Sequence, residues 1–571
     1  ASSGGSSGVA GASVLPNGNT ITPTAAAGAV FKPLNPNLTA YPTFTVSQAM
    51  SEAVSPDGKT LLILTSGYND ISDSTGQNTV ESNEFVFVYD ISVSPANQLQ
   101  ALPVPNTFAG VAFAPDGKHF YVGGGVDDNV HTFAPGSSGW AESGTPIKLS
   151  HAAGATDSVG GSGNGIEQPA VATGVAVTAD GAHLVIDNYY NDSVSVVDLV
   201  AGSKVGELDL RPGKSGGTSG TPGGEAPFWV SIVGSKTAYV SSIRDREIDV
   251  VDLTAPASPK IVTRIAVPGN PNKMVLNKAQ SLLYVAMDNA DAVGVIDTSK
   301  NALTTLIPTI APPGPLSLGA HRYRGAAPND LTLSPDENTL YVSNGGTNSV
   351  AVIALNQPGT PVTGLIPTGW YPQAVVQGQS GGMLYIVNSR SIPGPNTGNC
   401  FGYNSPCLPD SPVKYAANQY IYQLEKAGFL QVPVPGATAL ATLTAQVYSN
   451  NGFSSVPSAA DFATMAALHE KIQHVIYIVR ENRTYDQILG DLPRGNGNPA
   501  LTEFGAATTP NIHALANNFV TFDNFYDPAE VSGDGWPWSM SARETDVNVK
   551  DIPLDYAYPS RGVAYDSEGT N

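Results

Sequence analysis

Between residues 41 and 395 apolar and polar residues alternate in short runs broken by polar turns, the period of half-buried β-strands. Seven segments repeat one arrangement: an apolar strand, a turn that in its fullest form reads Ser-Pro-Asp-Gly, and a second strand. They are AVSPDGKTLLILTSG from Ala53, AFAPDGKHFYVGGG from Ala112, AVTADGAHLVIDNYY from Ala176, SIVGSKTAYVSSI from Ser231, VLNKAQSLLYVAMDN from Val275, LTLSPDENTLYVSNG from Leu331 and VVQGQSGGMLYIVNS from Val375. Pro-Asp-Gly between two alternating runs is a hairpin turn, because proline presets one dihedral and glycine supplies positive φ. The turns start near Ser55, Ala114, Thr178, Val233, Asn277, Ser334 and Gly378, so the steps run from 44 to 64 residues. The short steps suit a four-stranded unit and the long ones a unit with an inserted loop. Several repeats continue into a further alternating run, as in Asn191–Leu199, Arg246–Leu253, Asp291–Thr298 and Thr347–Leu355. The pattern then changes. Helical stretches are expected near 416–427 and 458–470, and HVIYIV, His474–Val479, reads as a buried strand leading through a turn into a helix. A further helix follows, with Thr509 as N-cap, Pro510 at its first position and Ile512, Leu515 and Ala516 on its apolar face. It leads to a predicted strand, Phe519–Phe525, which makes an α/β unit in chain order.

A single four-stranded unit cannot bury both faces, whereas seven packed radially can. The repeats resemble the YVTN/YncE-like repeats of seven-bladed β-propellers. The resemblance covers a propeller over 41–395; composition and pattern add a flexible leader and first strand approach over 1–40, a disulfide loop and helical connector over 396–470, and the N-terminal part of an α/β domain over 471–571. The fold class expected is mainly β. Propellers bind ligands at the ends of the central channel, but the fold alone names no ligand. Asp127, Asp128 and Asn129, and Asn188, Asn191 and Asp192, offer oxygen donors for Ca²⁺ or a polar ligand, although solvated turns account for them as well. His119, His131, His151 and His183 lack ligand spacing and read as structural or exposed.

Charge narrows the partners. With 27 basic and 48 acidic residues the net charge is −21, which repels phosphate backbones and anionic lipid heads, so nucleic acid and bare membrane are not expected partners. No run of 18 apolar residues is present, and no integral membrane segment is expected. The two cysteines, Cys400 and Cys407, stand in GNCFGYNSPC, a spacing wide for zinc with no histidine adjacent. A loop closed by a disulfide fits, and points to an oxidising compartment. The start, ASSGGSSGVAGAS, reads as a mature end followed by a Gly/Ser leader. A secreted or periplasmic bacterial protein is expected.

The last hundred residues carry the chemistry. Open α/β sheets place their sites at the carboxyl ends of strands. Glu481 and Asn482 follow the predicted strand 474–479 and offer hard oxygen ligands for a divalent cation. Downstream, Ser532-Gly533-Asp534-Gly535 allows close backbone approach and a helix N-terminus that receives an anion. The segments HVIYIVRENRTYDQILGDL, TPNIHALANNFVTFDNFY and AEVSGDGWPWS resemble the start of the phosphoesterase branch of the alkaline phosphatase superfamily, which includes acid phosphatases and phospholipases C with an E-N-R-[ST]-[FY]-D motif. Proteins that fuse a YncE-like propeller to such a domain are similar in arrangement. The resemblance implies Glu481 and Asn482 as metal ligands and Ser532 as the nucleophile, with Asp534 and His513 as additional polar groups. Where relatives often carry a histidine after the Asp-Gly, this chain has Trp536.

The function so implied is that of a secreted hydrolase with an accessory propeller. It would cleave a phosphoester through a phosphoserine intermediate with a divalent metal ion, Ca, Mg, Mn, Zn or Fe. Residues 471–571 are short for such a domain, and the later Asp and His ligands are expected on later strands. The chain is therefore expected to be incomplete and inactive alone, the remaining C-terminal part of the protein being a possible separate partner chain. A propeller that binds or assembles partners, with an inactive hydrolase domain, is the alternative. A propeller lactonase, which needs a metal at the mouth of the central channel, is a third.

Overall fold

The computed structural model describes residues 11–15, 17–71, 79–151, 170–214, 218, 220–312, 324–390, 421–453, 458–525 and 529–557. The chain divides into two units, one of residues 1–455 with 544–571 and one of residues 456–543.

The first unit holds seven antiparallel blades, six of four strands and blade 2 of five. Blade 1 runs Ala49–Val54, Thr60–Thr65, Glu84–Asp90 and Asn97–Val104. Blades 2 to 6 follow in chain order, their innermost strands being Val111–Phe113, Ala172–Val177, Pro227–Val233, Pro271–Leu276 and Pro328–Leu333. Each innermost strand touches the next, and the last, Pro372–Gln377, touches the first, which closes the ring around a channel. All seven sequence repeats fall on the two inner strands of a blade. Blade 7 is finished from outside the 41–395 stretch. Its third strand is Gly428–Pro433 and its outer strand is Val30–Pro33 from the other end of the chain. Pairing the two chain ends in one sheet leaves no blade open to slide apart.

The inner hairpins owe their register to the turn residues. Ser55 Oγ donates to Asp57 Oδ1 at 2.6 Å and accepts from Thr60 N at 2.9 Å, while Gly58 takes φ +70°. The same bonds recur at Ser334, Asp336 and Thr339. Between the second and third strands of several blades one residue adopts left-handed φ, as at Asp128, Asp192, Asp291 and Asn348. Their side chains accept backbone N–H groups from the approach to the next blade: Asp192 from Ala226 at 3.0 Å, Asp291 from Ala326 at 2.7 Å and Asn348 from Tyr371 at 2.8 Å. These turns are structural staples, and Asn188 and Asn191 beside them are fully buried.

Between-blade cores consist of Leu, Ile, Val and aromatic side chains from facing strands, such as Tyr89 of blade 1 against Phe429 of blade 7, ring centres 4.8 Å apart. The helix Ala437–Asn450 lies on the outer strand of blade 6, where Thr444 Oγ1 accepts from Leu365 N at 2.9 Å and Gly364 leaves room for Leu440. That cover protects an edge strand from pairing with other chains. A second helix, Asp546–Asp555, belongs to this unit and is buried on nearly every side.

A histidine ties blades 2 and 3. His151 Nδ1 meets Asp128 Oδ1 at 2.6 Å and its Nε2 meets Glu207 Oε1 at 2.5 Å. Burial pulls the His151 pKa down, the hydrogen bonds to Asp128 and Glu207 outweigh it, and the net value is raised. A raised folded pKa means the clamp contributes fully below the unfolded value near 6.5 and fades as pH rises through the folded pKa. Denaturant midpoints are therefore expected to fall between pH 6 and pH 9 by about 1.5 kcal/mol, the scale of a hydrogen bond to a charged group. His151→Gln should remove that pH dependence, and a variant that keeps it would show the clamp is idle.

The second unit contains the helices Ala459–Lys471, Tyr485–Leu489, Pro510–Asn518 and Ser532–Ser541. Ser458 and Thr484 form capping boxes with Asp461 and Gln487. The strands expected at 474–479 and 519–525 are not formed. Both stretches lie outside every ladder among the described residues. Val475, Ile476, Tyr477 and Ile478 are 64–87% exposed, and Phe519, Val520, Phe522 and Phe525 are exposed likewise. Leu515, placed on the apolar face of its helix, is exposed, and only His513 and Ala516 of that helix are buried. An apolar run becomes a strand only when another strand meets its backbone groups, and among the described residues of this unit none does. The α/β sheet is thus absent from the described residues.

Candidate functional site

In the second unit, Glu481 and Asn482 follow the extended run and stand exposed just before Thr484, which caps the helix Tyr485–Leu489. Ser532 is exposed as the first residue of the helix Ser532–Ser541, with Val531 as N-cap. Asp534 turns back on its own loop, accepting Glu530 N and Val531 N at 2.8 Å each. His513 Nε2 meets Asp491 Oδ1 at 2.8 Å and its Nδ1 lies 2.9 Å from Thr509 O, so both ring nitrogens serve the fold. The hydrogen bond to Asp491 raises its pKa. Thr509 occupies the predicted N-cap, but its hydroxyl donates to Phe504 O at 2.8 Å. Cys400 and Cys407 lie outside the described residues.

Among the described residues Glu481 belongs to no set of three or more His, Cys, Asp or Glu side chains whose ligand atoms converge. A divalent cation takes four or more donors. Glu481 and Asn482 alone do not make a metal site.

The first unit carries a second concentration of polar chemistry, outside every motif singled out in the sequence. The residues five positions before the seven turns are Met50, Ala109, Thr173, Phe228, Asn272, Asn329 and Gln373 in blade order, and Met50, Ala109, Phe228, Asn272 and Asn329 among them share a core cluster or a hydrogen bond with the helix Asp546–Asp555. All are buried. Blades 1, 2 and 4 give apolar groups and blades 5 to 7 give amides. The helix Asp546–Asp555 fills this mouth of the channel. Asn272 Nδ2 donates to Asp546 Oδ2 at 2.5 Å, while Asn329 Nδ2 and the Tyr371 hydroxyl each donate to Asp546 Oδ1 at 3.1 Å. Lys550 Nζ donates to Asn272 Oδ1 at 2.8 Å, pairs with Asp546, and stands 4.4 Å from the centre of the Phe228 ring. Gln48 Nε2 donates to Lys550 O at 2.9 Å. At the far side Leu554 joins Met50, Phe108, Phe228 and Ile243. Burial raises Asp546's pKa, Lys550 and the amide donors outweigh it, and the carboxyl ends below its ordinary range. Among the described residues Asp551 accepts a side-chain hydrogen bond from the Tyr189 hydroxyl alone, at 3.2 Å, and burial pushes its pKa up to about 7.

Deeper in the channel Lys273 Nζ donates to Met50 O at 2.7 Å, Gln373 O at 3.2 Å and Asp330 Oδ2 at 3.4 Å. Burial lowers its pKa and raises those of Asp330 and Glu52.

No protein-family model matches the chain, and no curated protein matches it. Among solved structures, hydrazine synthase of Kuenenia stuttgartiensis is similar at 16% identity and a TM-score of 0.43, over 60% of this chain and 93% of that one. A protein from Lactobacillus plantarum is similar at 13% identity and a TM-score of 0.44, over 61% of this chain and 98% of that one. The seven-bladed propeller stands on the strand pairing of this chain itself. No helix among the described residues is long and apolar enough to cross a membrane.

Proposed function

We propose that residues 456–543 are part of a metal-dependent phosphoesterase that cleaves phosphoric esters through Ser532, in an exported protein whose propeller is accessory. The observation that carries this reading is the place of Ser532: exposed, at the first position of a ten-residue helix, followed by Gly533. First-turn N–H groups have no partner within their helix and sit at its positive end, where they suit the oxygens of a phosphoryl group. The Ser532 oxygen attacks phosphorus, the phosphorus–oxygen bond of the ester breaks, and the alcohol leaves with a proton. Water then cleaves the phosphoserine, which releases inorganic phosphate and restores the hydroxyl. Asp534, held by two backbone N–H groups, positions the loop before Ser532.

A divalent cation belongs to this reading, with Glu481 and Asn482 as two of its donors. The other donors come with the polypeptide that pairs the apolar runs 472–479 and 519–525 into a sheet. Residues 475–479 are apolar on both faces, the composition of a strand covered from two sides, and in 519–525 Phe519, Val520, Phe522 and Phe525 stand exposed with them, which supports a domain that needs further strands to cover them. The test uses p-nitrophenyl phosphate with divalent metals. The 571-residue chain purified alone is expected to show no turnover. The full-length gene product is expected to turn it over, to lose activity in EDTA, and to lose about 10³-fold or more on Ser532→Ala. Full rate in Ser532→Ala, or turnover by the 571-residue chain, contradicts the reading.

A further inference from the structure

We propose that the propeller mouth is a binding site for a helical peptide that carries a carboxylate two turns before a large aliphatic residue, and that the helix Asp546–Asp555 occupies this site in cis, exchangeably. The proposal is independent of the phosphoesterase reading and rests on the first unit alone.

The mouth is a built site. Two amides and a phenol, from blades 5 and 6 and the approach to blade 7, converge on one carboxylate, and Asn272, Asn329 and Tyr371 are each more than nine-tenths buried. Across the channel the apolar half of the ring receives Leu554. Asp546 and Leu554 are eight residues apart, about 12 Å along a helix and on one face. The site thus reads an acid and an aliphatic group at a set separation.

The helix in place does not exhaust it. Gln373, the ring amide of blade 7, is fully buried, and among the described residues neither its side-chain nitrogen nor its side-chain oxygen has a partner. Asp551 Oδ1 is likewise buried without a partner among the described residues. Each such atom has given up water without gaining a hydrogen bond, a loss that a better-matched peptide recovers. The helix is also a weak element by itself: ten residues with Pro553 in its last turn, well short of the length at which isolated helices persist. Its occupancy rests on tethering, which gives an effective concentration on the order of millimolar, so a free competitor acts in that range.

The experiment is hydrogen exchange on the unmodified 571-residue chain, with and without a millimolar synthetic peptide covering residues 544–557. Exchange of the amides of 546–555 is expected to quicken severalfold when the peptide holds the mouth, the blade strands staying unchanged. The same peptide with Asp546→Asn is expected to have no effect. No quickening, or equal quickening by the Asp546→Asn peptide, overturns the proposal. A second arm weakens the cis helix in the full chain by Asp546→Asn with Leu554→Ala. This variant should bind labelled peptide at least tenfold more tightly than the unmodified chain, and adding Asn329→Ala should abolish that gain. If the variant fails to fold, the exchange result on the unmodified chain decides.

Discussion

Lys273→Ala is expected to lower the stability of the propeller by about 3–5 kcal/mol, the cost of breaking a buried ion pair from one side. Lys273 sits on the innermost strand of blade 5, fully buried, and its ammonium holds groups from three other blades: Met50 O in blade 1, Asp330 in blade 6 and Gln373 O in blade 7. It also lies 5.3 Å from the centre of the Trp229 ring in blade 4. Removing it leaves Asp330 without its cation and takes the nearby positive charge from Glu52, whose carboxyl oxygens already lack hydrogen-bond partners among the described residues. The effect is read from urea midpoints followed by tryptophan fluorescence at pH 7. Lys273→Met, which keeps most of the volume, separates charge from packing and is expected to be nearly as damaging. A loss below about 1 kcal/mol for both variants would mean that the channel is wet enough to solvate Asp330 unaided.

Gly110→Ala is expected to prevent folding of the ring or to cost at least about 4 kcal/mol. A β-carbon at Gly110 would stand 1.8 Å from the carbonyl oxygen of Thr173, backbone of the next blade's innermost strand. Neither side can yield without opening the seam between blades 2 and 3, because Gly174 repeats the close approach one blade on, against Phe228 O and the Trp229 Cα. The control is Gly382→Ala, whose β-carbon would meet only Ser380 Oγ at 3.9 Å. Soluble yield and melting temperature of the two variants check the expectation. Equal behaviour would contradict the seam geometry.

The ring was legible because its signal is local. Pro-Asp-Gly at 56–58 and 115–117 and its relatives at 179–181 and 335–337 fix hairpins through neighbours two to five residues apart, so the sequence shows them directly. Blade 7 was only half legible. Its third and outer strands, Gly428–Pro433 and Val30–Pro33, pair across almost 400 positions, and neither carries a turn that ties it to the blade. The run 474–479 failed for the opposite reason. Its composition is that of a buried strand, but composition does not supply a partner, and among the described residues the run stays extended and bare.

The mouth helix was hidden by its polarity. Asp546, Asn548, Lys550 and Asp551 in a ten-residue stretch with Pro553 read as surface, yet all four are buried. They are tolerated because side chains of a ring assembled from distant positions meet Asp546 and Lys550, an arrangement no local pattern encodes. A sequence signal did exist in the ring itself: the position five before each turn is amide in blades 5, 6 and 7. Glu481, Asn482 and Ser532 rest on motif resemblance. Glu481 and Asn482 are exposed just before a helix and Ser532 is exposed at the start of another, while the strand expected to precede Glu481 is not formed.

The most direct measurement is acid-quench trapping on the full-length gene product. Incubated with a phosphoester and divalent metal, then stopped in acid and digested, the protein is predicted to yield the peptide containing Ser532 with one phosphate added, at a stoichiometry that falls as substrate is exhausted. A peptide free of phosphate while product accumulates, or phosphate on a different residue, would contradict the assignment of Ser532 as the group that takes the phosphoryl.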